Sequence, residues 1–457
     1  ALLGTIEPRS SPEFETWLLV ERARIAGIVA SRIRQDTIRA LSVGDHLRAV
    51  RLAELGARQN PYDESAHVML VKSLALSGQY EAATRHADAT ETVFLAELGE
   101  LPSPALRSAA RRTTSAPPKG IPQETFVRSL IQSGRAALTA GAVDTGIDCL
   151  RRAVSDAEKI QDSALSACAT LELGTALVHS IRGRDDEGAV LLMQSTELAR
   201  TAGNAEVAAV AFQELGYVEA LAGRRPAAAH YLSKALDLAQ DSNDLAGIHG
   251  VIGFNLVDWG QVAAGLEHFE ISLDHARLAG NHRREIWTLG LGGWSLLAAR
   301  RLEDADRWLC ECLILVDQQG WIAFRPWPVA VLGEVQLLHG RPPADLRPAL
   351  EQGFALSCHF QDPCWEAAVA RALALTHAAE NDFAQAMDWL SEAQRRSVRH
   401  TDGYAALKVE ILASQAEISR RSGHHETADA FGREWVALAA RTHMNAHVER
   451  AAAFIRQ

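Results

Sequence analysis

Apolar residues recur along this chain at helical spacing, and small residues recur among them at fixed offsets. A small residue is followed seven positions later by Gly, and five positions after that by Ala or Gly, in sets that repeat roughly every forty residues. Small residues let two helices approach closely, and a turn Gly adopts positive φ without strain. The pattern predicts a stack of helix-turn-helix units that bury their apolar faces on one another. The clearest sets are Gly134, Gly141 and Gly146; Gly216, Gly223 and Ala228; Gly253, Gly260 and Gly265; and Gly293, Arg300 and Ala305.

Length and composition favour an extended array over one compact core. The chain has 457 residues, of which 47% are hydrophobic, and a single core rarely grows that large. Ala, Leu and Arg, which favour helix, dominate, whereas alternating runs rich in β-branched side chains are scarce. We therefore predict an all-α fold, a tetratricopeptide-like right-handed α-solenoid in two parts.

A change of composition divides the chain. Residues 103–123 are rich in Pro, Ser, Thr and basic side chains and lack an apolar stripe after Ala109, which is typical of a linker. We predict a helical domain over residues 1–112, a linker over 113–124, a repeat array of about eight helix pairs over 125–445 and a capping helix over 446–457. The first helices of the pairs are predicted near residues 125–140, 163–181, 205–222, 245–259, 282–299, 322–339, 364–380 and 403–422.

The first 110 residues carry a more specific signal. Five short stretches in this order resemble the bacterial transcriptional activator domain, which belongs to the Streptomyces antibiotic regulatory protein (SARP) family of transcription factors. The run of ELG, a short gap and PSP after the third helical pair is the most specific part of the resemblance. The stretches are residues 14–24 (FETWLLVERAR), 44–49 (GDHLRA), 60–64 (NPYDE), 78–83 (GQYEAA) and 97–104 (ELGELPSP).

The resemblance implies a regulatory role in transcription. In that family a winged-helix DNA-binding domain precedes this module, and this chain has no room for one before Ala1. We therefore expect the regulatory portion of such a factor, with DNA contacted only through a winged-helix domain that this chain lacks. Large family members also insert a nucleotide-hydrolysing domain, but no G-x-x-x-x-G-K-[ST] loop is present, so an ATP-driven switch is not expected.

Charge and motifs exclude several other functions. A net charge of −11 argues against a nucleic-acid clamp, and no apolar stretch approaches the roughly 20 residues of a membrane span, so we expect a cytoplasmic protein that does not bind membranes. Cys358, His359 and Cys364 lack a second ligand pair at a usual interval, so no metal is expected. No nucleophile elbow or paired carboxylates appear, so we expect neither a cofactor nor enzymatic activity.

The repeat register points to a candidate binding site. Counted from the turn Gly, five aromatic residues fall at positions that face the concave side of such an array, and three glycines, Gly247, Gly250 and Gly290, lie beside them. Aromatic walls next to missing side chains predict a cavity for a ligand. The aromatic residues are Tyr217, Phe254, Trp287, Trp294 and Trp327, and the polar residues that could orient a ligand are Gln213, Asp258, Glu334 and Arg325.

The segment over residues 321–328 (WIAFRPWP) lies next to this predicted cavity. Pro326 disfavours the α region for Arg325, so we expect the helix to begin here after an extended entry. We consider two roles for this segment: it gates the cavity, or it forms a hydrophobic staple at the helix start.

Two functions and one packing alternative remain open at this stage. In the first, the array senses a small aromatic or apolar molecule as its effector and thereby controls transcription. In the second, the concave groove is a protein-binding scaffold for a peptide or helix of RNA polymerase or of a signalling partner. The same aromatic residues could also simply pack on each other, and a homodimer is compatible with either function.

Overall fold

The computed structural model describes residues 12–110, 124–139, 142–180, 183–400 and 403–456. Within these ranges the chain forms 22 α-helices and one short 3-10 helix, and no strand. The predicted turn residue Gly141 and the linker beyond residue 110 lie outside the described residues. None of the described helices is both long and apolar enough to cross a membrane. The fold is an all-α solenoid, as predicted.

Five helices make up the N-terminal part, and eight helix pairs with a final helix make up the rest. The N-terminal helices are α1 (Pro12–Ser42), α2 (His46–Gln59), α3 (Glu64–Leu76), α4 (Tyr80–Glu97) and α5 (Pro104–Ala109). The pairs are α6 (Glu124–Thr139) with α7 (Val143–Ile160), α8 (Ser163–Ser180) with α9 (Asp185–Ala202), α10 (Ala205–Leu221) with α11 (Arg225–Leu238), α12 (Ser242–Trp259) with α13 (Val262–Leu278), α14 (His282–Ala298) with α15 (Leu302–Gln319), α16 (Pro326–Leu338) with α17 (Pro343–Phe360), α18 (Pro363–Ala379) with α19 (Phe383–Ser397), and α20 (Ala405–Arg421) with α21 (His425–Arg441), followed by α22 (Asn445–Ile455).

Small residues mark the crossing point within each pair, as the spacing predicts. A methyl group on Gly253 would lie 2.8 Å from the carbonyl oxygen of Gly265, and one on Gly216 would lie 2.6 Å from Cγ of Leu232. The turn between the two helices of a pair requires a residue in the left-handed backbone conformation. In the third pair this residue is Gly223, with φ 79°. Where that glycine is replaced by Arg300, φ is still 59°.

The two helices of a pair differ in how they are buried. The second helices bury one stripe, such as Ala386, Leu390, Ala393 and Ser397 of α19. The first helices, by contrast, bury residues around most of their circumference, and polar residues such as those of α10 and α12 are buried with the apolar ones. A helix that is apolar all round lies inside a structure, so the first helices line and fill the interior of the superhelix.

The solenoid closes on itself, which the repeat pattern does not predict. A methyl group at Gly223, in the third pair of the array, would lie 2.7 Å from Cβ of Thr442 and 3.1 Å from Cβ of Ala405. The side-chain amide of Asn445 also donates to the carbonyl oxygen of Trp259 at 3.5 Å. The C-terminal end of the array, including α22, therefore contacts the third and fourth pairs.

The long helix α1 lies against this closure. It packs on α2 within the N-terminal part, on α9 of the array and on α21 near the C-terminus. Gly27 lies against the backbone of Arg441, and the side chain of Arg24 donates to Asn445 at 3.2 Å. The N-terminal part is therefore packed on the array at two separate places.

Three details differ from the sequence-based expectations. The linker-like composition over residues 103–123 begins with a helix, α5, because Leu106 is fully buried and anchors it on α3. Arg325 is in the α region, with φ −50° and ψ −39°, because a 3-10 turn over Ile322–Phe324 leads directly into α16. The final helix begins at Asn445, where it contacts the middle of the array instead of only covering the last pair.

Replacing Gly27 by Ala tests the contact between α1 and α21. The added Cβ would lie 2.4 Å from the carbonyl oxygen of Arg441, so one helix must move, and we expect the free energy of unfolding to fall by about 1–3 kcal/mol. Gly56→Ala in α2 is the matched control, because its nearest neighbour is a methyl group of Ile33 at 3.4 Å and Ala favours helix. Urea titrations measure both; equal stabilities of the two variants would contradict the packing of α1 described here.

A histidine stack on α12 and α13 predicts acid sensitivity. The Nδ1 atoms of His249 and His268 are 2.7 Å apart, and the ring of His275 stacks on His249 with 6.3 Å between the ring centroids. Burial, and then the two neighbouring histidines, lower the pKa of His249 to about 4. A histidine in the unfolded chain has a pKa of about 6.5, so between pH 4 and 6.5 the unfolded chain binds more protons than the folded one. The stack therefore lowers the free energy of unfolding as the pH falls from about 6.5 towards 4, and has no such effect above about pH 6.5.

Urea midpoints at pH 7.5 and pH 5 measure this effect. We expect His249→Asn to reduce the loss of stability between the two pH values, while the same change at the exposed His424 leaves the loss as in the wild type. An identical loss in all three proteins would show that the stack does not contribute to the pH dependence.

Candidate regulatory site

The five aromatic residues predicted to face the interior do meet there. Tyr217, Phe254 and Trp287 form a triangle with ring centroids 6.2 to 6.4 Å apart. Trp294 and Trp327 form a second group, 5.2 Å apart. These rings come from α10, α12, α14 and α16, so four consecutive first helices contribute to one aromatic interior.

The predicted hollow between these rings is filled by the chain itself. Tyr404, the residue immediately before α20, lies with its ring centroid 5.1 Å from that of Phe254 and 6.0 Å from that of Trp327. Its side chain thus joins the two aromatic groups. Because the eighth pair folds back onto the third and fourth, a residue 146 positions from Asp258 enters the space that an open solenoid would leave to a ligand.

The glycines next to the rings do not leave empty space. A methyl group on Gly250 would lie 3.1 Å from Trp287, and one on Gly290 would lie 2.8 Å from the ring of Phe324. The indole N–H of the fully buried Trp327 donates to the carbonyl oxygen of Gly290 at 3.0 Å. The hypothesis of a hollow left by absent side chains is therefore wrong at these positions, since large rings occupy the space.

Asp258 is part of a buried polar group at the closure. Its carboxylate accepts a hydrogen bond from the Tyr404 hydroxyl at 3.1 Å and lies 3.1 Å from the guanidinium of Arg225, which is fully buried. Burial raises the pKa of Asp258, and the adjacent Arg225 opposes this. Asp258 therefore fixes Tyr404 in the interior, and its carboxylate is bonded to residues of the protein itself.

Glu334 and Arg325 also have partners within the protein. Glu334 accepts from Arg371 at 2.7 Å, and the guanidinium of Arg371 lies 5.8 Å from the ring of Trp294. Arg325 pairs with Asp317 of α15, with about a third of its side chain exposed. The structure thus brings Glu334 to the aromatic interior through Arg371 but leaves Arg325 at its edge.

One end of the aromatic interior remains open to solvent. There Gln213 donates to Oε1 of Glu214 at 3.1 Å, and Oε2 of Glu214 lies 2.6 Å from Nε2 of His179, whose side chain is 45% exposed. His179 also stacks on Tyr217, with 5.2 Å between ring centroids. Burial would raise the pKa of Glu214, but His179 and other polar neighbours hold it below its usual value.

Arg284 lies at the same open end. Its guanidinium carbon is 5.7 Å from the centroid of Trp287, and a methyl group on Gly247 would lie 3.2 Å from its Nη2 and 2.1 Å from Oε1 of Gln213. Tyr217, Trp287 and Arg284 are all partly exposed. The accessible part of the predicted site is therefore this open end.

A second region connects the N-terminal part to the array. The guanidinium of Arg34 in α1 donates to Asp186 of α9 and to Glu219 of α10. Glu219 is 1% exposed and also accepts from Arg224 at 2.7 Å. Burial alone would raise the pKa of Glu219, but Arg224 and Arg34 bring it below its usual value. A few residues away, Lys72 of α3 pairs with Glu187 of α9 at 3.2 Å.

The cysteine and histidine motif over residues 358–364 has a structural explanation. Cys364 is buried, and Sγ of Cys358 lies 3.8 Å from a guanidinium nitrogen of Arg396. Burial raises the pKa of the Cys358 thiol. Among the described residues, no group of three or more His, Cys, Asp or Glu side chains could hold a metal ion.

Several residues of the interior carry no recognisable sequence signal. Tyr404 meets the predicted rings only because the solenoid closes. Arg225 reaches Asp258 from the neighbouring pair, and Phe324 belongs to a short turn. Arg284 is three residues before Trp287 on the same helix, so its place on the concave face could have been read from helical periodicity.

Several solved structures are similar to this chain at low sequence identity. A Rap protein complexed with competence and sporulation factor is 11% identical, with 93% of this chain and 99% of that chain covered and a TM-score of 0.42. Aspartyl phosphate phosphatase F from Bacillus subtilis is 10% identical, with coverages of 90% and 94% and a TM-score of 0.47. Yeast Tom70 is 12% identical, with coverages of 93% and 88% and a TM-score of 0.32.

No curated protein is significantly similar in sequence to the chain. The family comparison concerns the N-terminal helices that pack on the array through α1. Residues 5–113 match the sequence family described as the bacterial transcriptional activator domain.

Proposed function

We propose that this chain is the regulatory part of a transcription factor of the Streptomyces antibiotic regulatory protein type, in which the repeat array senses a small aromatic molecule and transmits its state to the activator module. The family match over residues 5–113 supports the role in transcription. DNA is contacted through a winged-helix domain outside this chain, and the activator module acts on RNA polymerase or another protein.

The observation that carries this proposal is the double attachment of α1. Arg34 joins the activator module to the second and third pairs of the array, whereas Gly27 packs on the eighth pair. A change in the curvature of the array moves these two attachment points relative to each other. A ligand that prefers one curvature therefore shifts the position of α1, and a solenoid needs only a few kcal/mol of differential binding for such a shift.

The interior favours a small ligand over an extended peptide. The first helices pack on one another, and Tyr404 occupies the centre of the concave side. An extended peptide would need an open trough along many pairs. The accessible surface is instead the short segment around Tyr217, Trp287 and Arg284, which fits a small molecule.

A reporter gene under the control of this factor tests the coupling. We expect Arg34→Ala and the milder Lys72→Ala to change transcriptional output by at least about fivefold, because both loosen the contact between α1–α3 and α9. Arg32→Ala is the control, since Arg32 lies on the same helix with its side chain 73% exposed and pairs with Asp36. Immunoblots confirm equal protein levels. Unchanged transcriptional output in both Arg34→Ala and Lys72→Ala would refute the proposed coupling.

A further inference from the structure

The open end of the aromatic interior contains a cation, Arg284, that forms no ion pair with the residues the structure describes. Within the described residues, the guanidinium of Arg284 makes no hydrogen bond or ion pair, although it lies over the ring of Trp287 and near Glu214. Most arginines at comparable depth here are paired, such as Arg34 with Asp186 and Arg371 with Glu334. A partly buried, unpaired charge is unfavourable, so its presence calls for an explanation.

The adjacent carboxylate does not supply that partner. Glu214 is the closest acidic group on the facing helix α10, but one of its oxygens is bonded to Gln213 and the other to His179. Burial lowers the pKa of Arg284, and the nearby Glu214 opposes this without forming an ion pair. The polar groups around Arg284 are thus hydrogen-bonded to each other, and the guanidinium is left partly exposed beside them.

The surroundings define what would bind there. Tyr217 and Trp287 present partly exposed rings at 6.3 Å centroid separation beside the guanidinium, and Gly247 leaves the room in which Gln213 and Arg284 meet. A flat apolar body can pack on the two rings while an oxyanion accepts hydrogen bonds from the guanidinium, which is the geometry that arginine recognises best.

We propose that this open end binds an aromatic carboxylate, with Arg284 pairing with the carboxylate and Tyr217 and Trp287 packing against the ring. The proposal rests on the proposed sensing function and specifies its ligand class. His179, fixed by Glu214, lies at the rim, where it limits the size of the aromatic body.

Titration calorimetry with two matched probes tests the ligand class. 2-Naphthoate and its neutral amide, 2-naphthamide, have almost the same aromatic surface but differ in charge. We expect the wild type to bind 2-naphthoate at least about tenfold more tightly than 2-naphthamide, since hydrogen bonds to charged groups are stronger than neutral ones. Binding of neither probe at millimolar concentration, or equal binding of both, would overturn the proposal.

Variants at adjacent positions locate the effect. Arg284→Gln should remove the preference for naphthoate, and Arg284→Lys should restore part of it. Arg283→Gln removes the same charge one residue away, on an exposed side chain over Trp321 at 4.4 Å, and should leave binding unchanged. If Arg283→Gln lowers the preference as much as Arg284→Gln, the site is not at Arg284.

Stability without a ligand separates binding from a structural role. Because the guanidinium of Arg284 makes no hydrogen bond or ion pair with a described residue, Arg284→Gln should leave the melting temperature nearly unchanged. A marked fall would mean that Arg284 is a structural cation, which contradicts the proposal. Calorimetry does not depend on transcription, and the reporter variants at Arg34 and Lys72 do not depend on a ligand, so the two proposals can fail separately.

Discussion

Arg34→Ala should lower the free energy of unfolding by about 2–4 kcal/mol and separate α1 from α9 and α10. The side chain of Arg34 is 12% exposed and that of Glu219 only 2%, so removing the cation leaves buried carboxylates with less compensation. Breaking a buried ion pair by removing one partner usually costs about 3–5 kcal/mol. We expect a smaller loss here because Glu219 keeps Arg224 as a partner at 2.7 Å. Urea titration measures the stability, and hydrogen exchange of α1 measures the separation.

The matched control lies two residues away on the same helix. Arg32→Ala removes a side chain that is 73% exposed and pairs with Asp36 one turn later, so we expect a loss of about 0.3–0.5 kcal/mol. If the two variants lose the same stability, the contact between the N-terminal helices and the array is not held by Arg34. If the amide hydrogens of α1 exchange as slowly in Arg34→Ala as in the wild type, Arg34 does not hold α1 on the array.

Tyr404→Ala should cost about 3–5 kcal/mol, as removal of a large buried ring does. Tyr404 is 3% exposed and contacts Phe254, Trp327 and Asp258, which come from two different pairs of the array. Its loss should also expose the aromatic interior, so acrylamide should quench tryptophan fluorescence more strongly. Tyr404→Phe retains the ring and should cost only about 1–2 kcal/mol, for the lost hydrogen bond to Asp258.

Tyr62 provides the control for this residue. It is also a tyrosine whose hydroxyl donates to a carboxylate, that of Glu97, but it is 52% exposed. Tyr62→Ala should therefore change stability by less than about 1 kcal/mol and leave the quenching as in the wild type. A Tyr404→Ala protein as stable and as little quenched as Tyr62→Ala would show that Tyr404 does not fill the interior.

Much of the fold could be predicted because its causes are local. The first helix of the second pair was predicted near residues 163–181 and is Ser163–Ser180, and that of the third pair near 205–222 and is Ala205–Leu221. Helical periodicity and turn residues such as Gly223 act within one pair, so the sequence displays them directly. The register also brought Tyr217, Phe254 and Trp287 to one face, because identical positions in consecutive pairs lie side by side.

The candidate site was only partly predictable, and its predicted hollow was wrong. Gly250 and Gly290 were interpreted as gaps, but Trp287 and Phe324 occupy the space beside them. A glycine in sequence shows that a side chain is missing at that position and does not show which neighbour enters the space. Gln213, Asp258 and Glu334 lie in or beside the aromatic interior, and each is bonded to a protein partner that periodicity could not identify.

The sequence by itself determined the repeating units, their helices and the concave placement of the aromatic residues, because each depends on residues a few positions apart. Only the tertiary structure decided that the eighth pair meets the third, that Tyr404 reaches Asp258, and that Arg34 bridges α9 and α10. The physical reason is that small rotations between neighbouring pairs accumulate along a solenoid. Which distant pairs finally touch depends on the sum of all these rotations, to which every unit contributes and which no single motif records.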